Sequence, residues 1–303
     1  MKRMTAIIRA TLIPLITLFP ATINAASLEP TTLKAWDAYV ESAKIQMEQR
    51  LSPGNTFLWA DEEPERLARV RAGEIAVSPV GPQNPQKVPS GLIHDWVGSA
   101  FIAGVTLQDV LQVVRDYGQY KELYQPSVVD SRVIDTGETK DRFSMLLMHK
   151  STFLKTALDA DYESRYVHVD DRRVYSVSWA TRIQEIDDYG SRAQRIVPED
   201  EGKGIIWRLF SITRYAERDG GVYVELEAIG LSRDIPASLR FLVEPIVRRV
   251  SRASLSTSLR QTESAVRSRA ELANRNTGSG RSIDTIIHSG AAPEALHLVH
   301  SSR

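Results

Sequence analysis

Seven charged residues of this 303-residue chain lie inside otherwise apolar stretches: Glu163, Arg165, Arg182, Arg208, Arg214, Glu225 and Glu227. A carboxylate or guanidinium group taken out of water needs a partner, because apolar neighbours do not replace lost hydration. Each is therefore a paired structural ion, a ligand contact or a solvated residue on an outward strand face. Glu225 and Glu227 are two residues apart and share one face of a strand. If that face points inward, Arg208 or Arg182 can pair with one carboxylate while the other meets a ligand. If it points outward, Val222, Val224, Leu226 and Ala228 face the core and the glutamates are solvated. The aliphatic face is the more convincing interior, so the solvated arrangement is expected.

Other chemistry is sparse. His149 lies in Leu146-Leu147-Met148-His149-Lys150, and spacing assigns it neither a carboxylate nor a nucleophile, which suits a satisfied or half-exposed histidine better than a general base. His94 and Asp95 are adjacent and point to opposite faces of a strand, a poor metal pair. No Gly-rich phosphate loop and no convincing nucleophile elbow occurs. Cysteine is absent, which excludes disulfides, thiolate ligands and a cysteine nucleophile. No cofactor and no metal is expected. The formal net charge is zero and gives no support to nucleic-acid binding.

Alternation places these residues on strands. Tyr175, Val177, Trp179, Thr181 and Ile183 form one face, Trp207, Leu209, Ser211, Thr213 and Tyr215 another, and Tyr162, Tyr166 and His168 a third. Strands are expected over 128–135, 142–154, 159–169, 173–186, 204–217 and 221–231, with turn signals at Thr136-Gly137, Asp170-Asp171, 188–190 and Asp219-Gly220-Gly221. Short turns make consecutive strands antiparallel. An earlier strand over 93–103 leads into a helix at Thr106, where Asp109 completes a capping box. Leu107, Val110, Leu111 and Val114 line one side of that helix, which ends at Tyr117-Gly118. A second short helix covers 120–124.

The segment 234–269 is the longest helical stretch. Leu239, Val243, Ile246 and Val250 form one stripe and Leu255, Leu259, Thr262 and Val266 another. The step of five between Val250 and Leu255 turns the second stripe by roughly 140°. A break or kink is therefore expected near Ser251, with a further bend at Pro245. Ahead of the strands, a helix from Thr31 or Thr32 to about Leu51 carries Leu33, Trp36, Tyr39, Val40, Ala43 and Met47 on one side. A brief charged helix follows over 63–71. Residues 26–90 read as a helical lead-in that packs on the main domain at 91–269, and 270–303 as a flexible tail. Residues 1–25 read as a signal peptide, with Lys2, Arg3 and Arg9 before an apolar run and cleavage after Ala25 or Ala26. Its loss leaves a net charge of about −3, and the compartment expected is periplasmic or secreted.

One strand, two helices, a run of antiparallel strands and a long final helix make an α+β chain. That order resembles the START-like (SRPBCC, helix-grip) superfamily over about residues 92–268. The Trp96 to Gly104 strand, Val105-Thr106-Leu107, Asp116-Tyr117 and Tyr124-Gln125-Pro126 are similar to its first strand and helix pair, and Ile235-Pro236 followed by Leu239, Leu242 and Val243 to its closing helix. Trp207-Arg208-Leu209, 217–225 and 231–236 resemble exported bacterial START-like proteins of undefined activity. The resemblance implies a curved antiparallel sheet wrapped around the long helix, with a cavity between them for a hydrophobic small molecule or lipid.

On that reading Tyr166, Trp179, Trp207, Arg208, Glu227, Leu242 and Val243 line the ligand, and the first half of the closing helix acts as a gate. Transient membrane contact is compatible with such a carrier, and no obligate protein partner is evident. The alternatives are a polyketide cyclase-like or hydrolase-like enzyme using Glu227, Arg208 and His149 in the same cavity, or a protein-interaction module with a filled core and contacts through Trp36, Trp59 or the tail.

Overall fold

The computed structural model describes residues 27–150 and 155–287. The signal peptide expected over 1–25 lies outside them. The lead-in comprises α1 (Pro30–Gln49), a 3-10 turn at Trp59–Glu62 and α2 (Pro64–Arg71). Proline in the first turn suits both helices, since the missing N–H would have had no intrahelical partner there. Ten strands follow in one antiparallel sheet. They are β1 (Ala76–Pro79), β2 (Gln86–Val88), β3 (Gly91–Ala103), β4 (Val128–Thr136), β5 (Lys140–Lys150), β6 (Lys155–Asp170), β7 (Arg173–Asp187), β8 (Arg195–Ile196), β9 (Arg208–Arg218) and β10 (Gly221–Arg233). The order across the sheet is β1-β3-β10-β9-β7-β6-β5-β4, with β2 added to β3 and β8 to β7.

Between β3 and β4 stand α3 (Leu107–Val114) and the short α4 (Tyr120–Leu123). The capping box of α3 forms as the sequence requires: Asp109 N–H donates to Thr106 Oγ1 at 3.2 Å and Thr106 N–H to Asp109 Oδ2 at 2.8 Å.

The chain closes with α5 (Ala237–Ile287), which lies against one face of the curved sheet. This is the helix-grip layout. Leu255, Leu259, Thr262 and Val266 are all buried, whereas Phe241 and Ile246 are 72% and 46% exposed. The change of stripe thus separates a gripped half from a half that stands clear. It does not break the helix, which continues through Pro245 and Ser251 and past Arg269. Backbone hydrogen bonds along a helix need no burial, so a stripe can end where the helix does not. Gly98 of β3 allows the close seat of α5: a Cβ there would stand 2.8 Å from Leu259 Cδ1.

The other face of the sheet is covered by the lead-in. Trp36, Val40, Ala43 and Met47 of α1, with Phe57, Leu58 and Ala60, pack into one buried cluster with Phe101, Phe210, Ile212, Tyr223, Ile229 and Leu231. The sheet is therefore the middle of three layers over β3, β7, β9 and β10, while β4 keeps exposed residues such as Val133 and Ile134.

Candidate functional site

A cavity of about 300 Å³ lies between the gripped half of α5, the α3–α4 region and the inner face of the sheet. Its floor is built by register. Ser164 of β6 stands opposite Ser178 of β7, which stands opposite Ser211 of β9. In the next inward row Tyr166 faces Ser176, and Ser176 faces Thr213. Small side chains recurring at the same level across three strands leave room where larger ones would fill it. Here they also leave hydroxyls.

The wall is aromatic. Tyr117, in the turn after α3, stacks on Phe143 at 4.0 Å between ring centroids, and Phe143 stacks on Tyr162 at 5.3 Å. Tyr120 donates its hydroxyl to Val114 O, and the Tyr124 and Thr262 hydroxyls lie 2.9 Å apart, which ties the wall to α5. Leu259 and Leu226 add apolar surface.

One end of the cavity is a fixed polar chain. The Tyr117 and Tyr166 hydroxyls are 3.1 Å apart, and Tyr117 also donates to Asp141 Oδ2 at 3.0 Å. Asp141 is fully buried and accepts two bonds from Arg115, at 3.0 and 2.9 Å. This paired carboxylate sets the direction in which the Tyr117 hydroxyl points. Burial pushes the Tyr166 phenol up to about 12 and raises those of Tyr117 and Tyr162 as well. All three therefore stay protonated at neutral pH. The Tyr162 side chain is 7% exposed, and its hydroxyl opens to the cavity without a hydrogen-bond partner among the described residues.

Such walls can remove a molecule from water, stack on its flat faces and exchange hydrogen bonds with its oxygen atoms. Six tyrosines, six serines and two threonines line the space, and none of these side chains changes charge near neutral pH.

Of the ligand residues expected from sequence, Tyr166 faces this cavity. Ser211, Thr213 and Tyr215 do too, as their alternation indicated. The others stand elsewhere. Trp179 lies on the outer face, packed against the lead-in cluster with Arg165 over its ring at 5.3 Å. Trp207 precedes β9 and is buried in that outer cluster, where Gly204 lets its ring pass: a Cβ at Gly204 would meet the ring at 2.7 Å. Arg208 forms a two-bond ion pair with Asp200, at 2.6 and 3.0 Å. Val243 is half-buried in the part of α5 before the cavity, and the side chains of Leu242 and His149 fall outside the description.

Glu227 is also on the outer face, and so is Glu225. They are buried, 8% and 0% exposed, not solvated. Arg214 of β9 lies between them, 3.1 Å from Glu225 and 2.5 Å from Glu227. Glu225 further accepts the N–H groups of Trp59 and Ala60 at 2.7 and 3.0 Å. The correction has a simple cause. The aliphatic residues of β10 do face inward, but the opposite face is roofed by a segment more than 160 residues earlier. The remaining strand charges are satisfied at the rim: Glu163 by Lys140 at 2.9 Å, and Arg182 by Asp161 and Asp159 at 2.8 and 3.1 Å.

Sequence reasoning missed Ser164, Ser176, Ser178, Tyr117, Tyr120, Tyr124 and Phe143. A serine in a strand ordinarily marks the solvent side, and only the cross-strand register turns several into one floor.

No protein-family model matches the chain, and no curated protein does. Solved structures do. A STAR-related lipid transfer protein fragment from Xanthomonas axonopodis is 16% identical, with a TM-score of 0.41, over 63% of this chain and 98% of the other. Human STARD10 is 8% identical at a TM-score of 0.42, over 76% and 89%. The Zhui aromatase/cyclase from Streptomyces sp. R1128 is 9% identical at 0.38, over 59% and 96%. The likeness is one of fold alone, and the sheet order and closing helix described above form a helix-grip layout. At these identities it carries nothing about a ligand.

Proposed function

We propose that this protein is an exported binding protein that shields a compact, flat, hydrophobic molecule bearing one or more oxygen atoms in the cavity beneath α5. The observation that carries this reading is the pairing of a stacked aromatic wall with a hydroxyl floor, in which the Tyr162 hydroxyl opens to the cavity without a partner among the described residues. A cavity of about 300 Å³ stands at the small end of the ~300–1,000 Å³ usual for small-molecule sites. It suits a ring system of two or three rings better than a two-chain lipid. Binding consists of desolvation and stacking, with orientation supplied by the hydroxyls.

The enzyme alternative loses two of its three candidates, because Glu227 and Arg208 are occupied in ion pairs away from the cavity. The filled-core alternative is disfavoured by the cavity itself.

N-phenyl-1-naphthylamine provides the test. Its fluorescence is expected to rise on binding, and 1,4-naphthoquinone is expected to displace it better than naphthalene does. Filling the floor with Ser178→Leu and Ser211→Phe should abolish the signal while the fold persists by circular dichroism. Undiminished binding by that double variant would refute this site. Export is checked separately by the mass of the mature chain in an envelope fraction, expected to begin at Ala26 or Ser27.

A further inference from the structure

The outer face holds a second group of ionisable residues that plays no part in the cavity. Asp95 of β3 lies diagonally across from Glu227 of β10, since Asp95 pairs with Ile229 and Val97 with Glu227. Asp95 is 3% exposed. Its Oδ2 accepts the Tyr39 hydroxyl of α1 at 2.9 Å, and its Oδ1 is buried without a partner among the described residues. From the β1–β2 loop, Asn84 donates to the backbone oxygen of Asp95 and accepts its N–H, so the loop satisfies the backbone and leaves the carboxyl untouched. From β9, Arg214 gives its bonds to Glu225 and Glu227. Three buried carboxyl groups thus share one guanidinium, and Asp95 is the one with no cation of its own. Met47 closes the site from α1, its Sδ 3.2 Å from Arg214 Nε.

We propose that Asp95 and Tyr39 form a proton-operated latch, in which the lead-in is held firmly on the sheet while Asp95 is protonated and is loosened when Asp95 ionises. A neutral carboxyl can still accept the Tyr39 hydroxyl bond and needs no counter-ion. An ionised one adds a second uncompensated negative charge under α1, beside Glu227. Burial, and then Glu227, push Asp95 up to about 7 from an ordinary 3.8. Between those two values the docked arrangement binds one proton more than one in which Asp95 meets water. Docking therefore weakens as pH rises from about 4 to about 7 and changes no further above that.

Two neighbours could blur this signal. Glu225 is also raised by burial, but Arg214 and two backbone N–H groups oppose the shift. His94, next in the strand, points to the inner face toward Ser232 and is lowered to about 4, first by burial and then by Arg248. Its contribution has the opposite sign, growing as pH rises from about 4 to 6.5. The readout must therefore be local to α1.

Hydrogen exchange of the α1 amides in the full chain, corrected for the intrinsic rate and referenced to β6, provides it. From pH 5 to pH 8 the wild-type protein should lose tenfold or more of its α1 protection. Asp95→Asn, which fixes the neutral form, should hold the acid-side protection throughout. A variant that keeps the wild-type slope, or a wild-type protein without one, overturns the latch. Should Asp95→Asn not fold, carbon-13 titration of the wild-type Asp95 carboxyl decides by itself: a midpoint near 7 supports the latch, and one in the ordinary carboxylate range sinks it.

Discussion

The two faces of the sheet use polar residues in opposite ways. On the outer face, Arg214, Glu225, Glu227 and the backbone N–H groups of Trp59 and Ala60 satisfy one another under a lid made by the same chain. Around the inner cavity, apart from the Asp141–Arg115 pair at its end, the polar groups are mostly neutral hydroxyls, and that of Tyr162 has no partner among the described residues. A group that is already saturated holds a fold together and has little left for a ligand. A neutral hydroxyl that opens into a cavity can exchange its water for a ligand. The difference favours a binding role for the inner face, although most of the paired charge lies on the outer one.

The comparison breaks most visibly at Arg214. Replacing it with methionine strands two carboxylates beneath the lead-in, and chemical denaturation should show a loss of about 3–5 kcal/mol. Fluorescence binding by the remaining folded protein should be unchanged, because no atom of the ion cluster reaches the cavity. A parallel loss of binding would show that the faces are coupled.

Gly98→Val should cost less, about 1–3 kcal/mol. Its new side chain collides with Leu259 on the inner face, where a Cβ alone would stand at 2.8 Å. Because Leu259 also lines the cavity, this variant should weaken probe binding as well as stability. It is the expected contrast to Arg214→Met.

What the sequence disclosed follows the same division. Local rules worked: Thr106 and Asp109 are three residues apart and form their capping box, and the six strands expected after α4 correspond to β4, β5, β6, β7, β9 and β10, with the two-residue β8 unforeseen. The stripe change after Val250 correctly marked where α5 leaves the sheet, although it was taken for a break. Alternation assigned Val224 and Leu226 to one face and Glu225 and Glu227 to the other, which is the arrangement found. It could not say that the second face is roofed, because period two distinguishes faces and not their environments. The roof comes from Trp59 and Ala60, remote in sequence and brought there by the packing of α1. Trp179 was assigned to the cavity for a related reason: a large aromatic looks like a pocket wall on either side of a sheet covered on both. The serine floor stayed hidden because it is a property of three strands in register, and each serine alone has the signature of an exposed position.

Two tyrosines sharpen the contrast with the smallest changes in mass. Tyr39→Phe deletes the only hydroxyl donor to Asp95 Oδ2 among the described residues. It should lower stability by about 1 kcal/mol at neutral pH while leaving probe binding as it was. Tyr162→Phe removes a hydroxyl with no partner among the described residues, so the denaturation midpoint should not fall. Its effect should appear in selectivity: the advantage of 1,4-naphthoquinone over naphthalene as a competitor should shrink by up to about tenfold, the value of one buried hydrogen bond. If Tyr162→Phe instead destabilises the protein and leaves selectivity intact, its hydroxyl is a structural group like that of Tyr39 and plays no part in selecting the ligand.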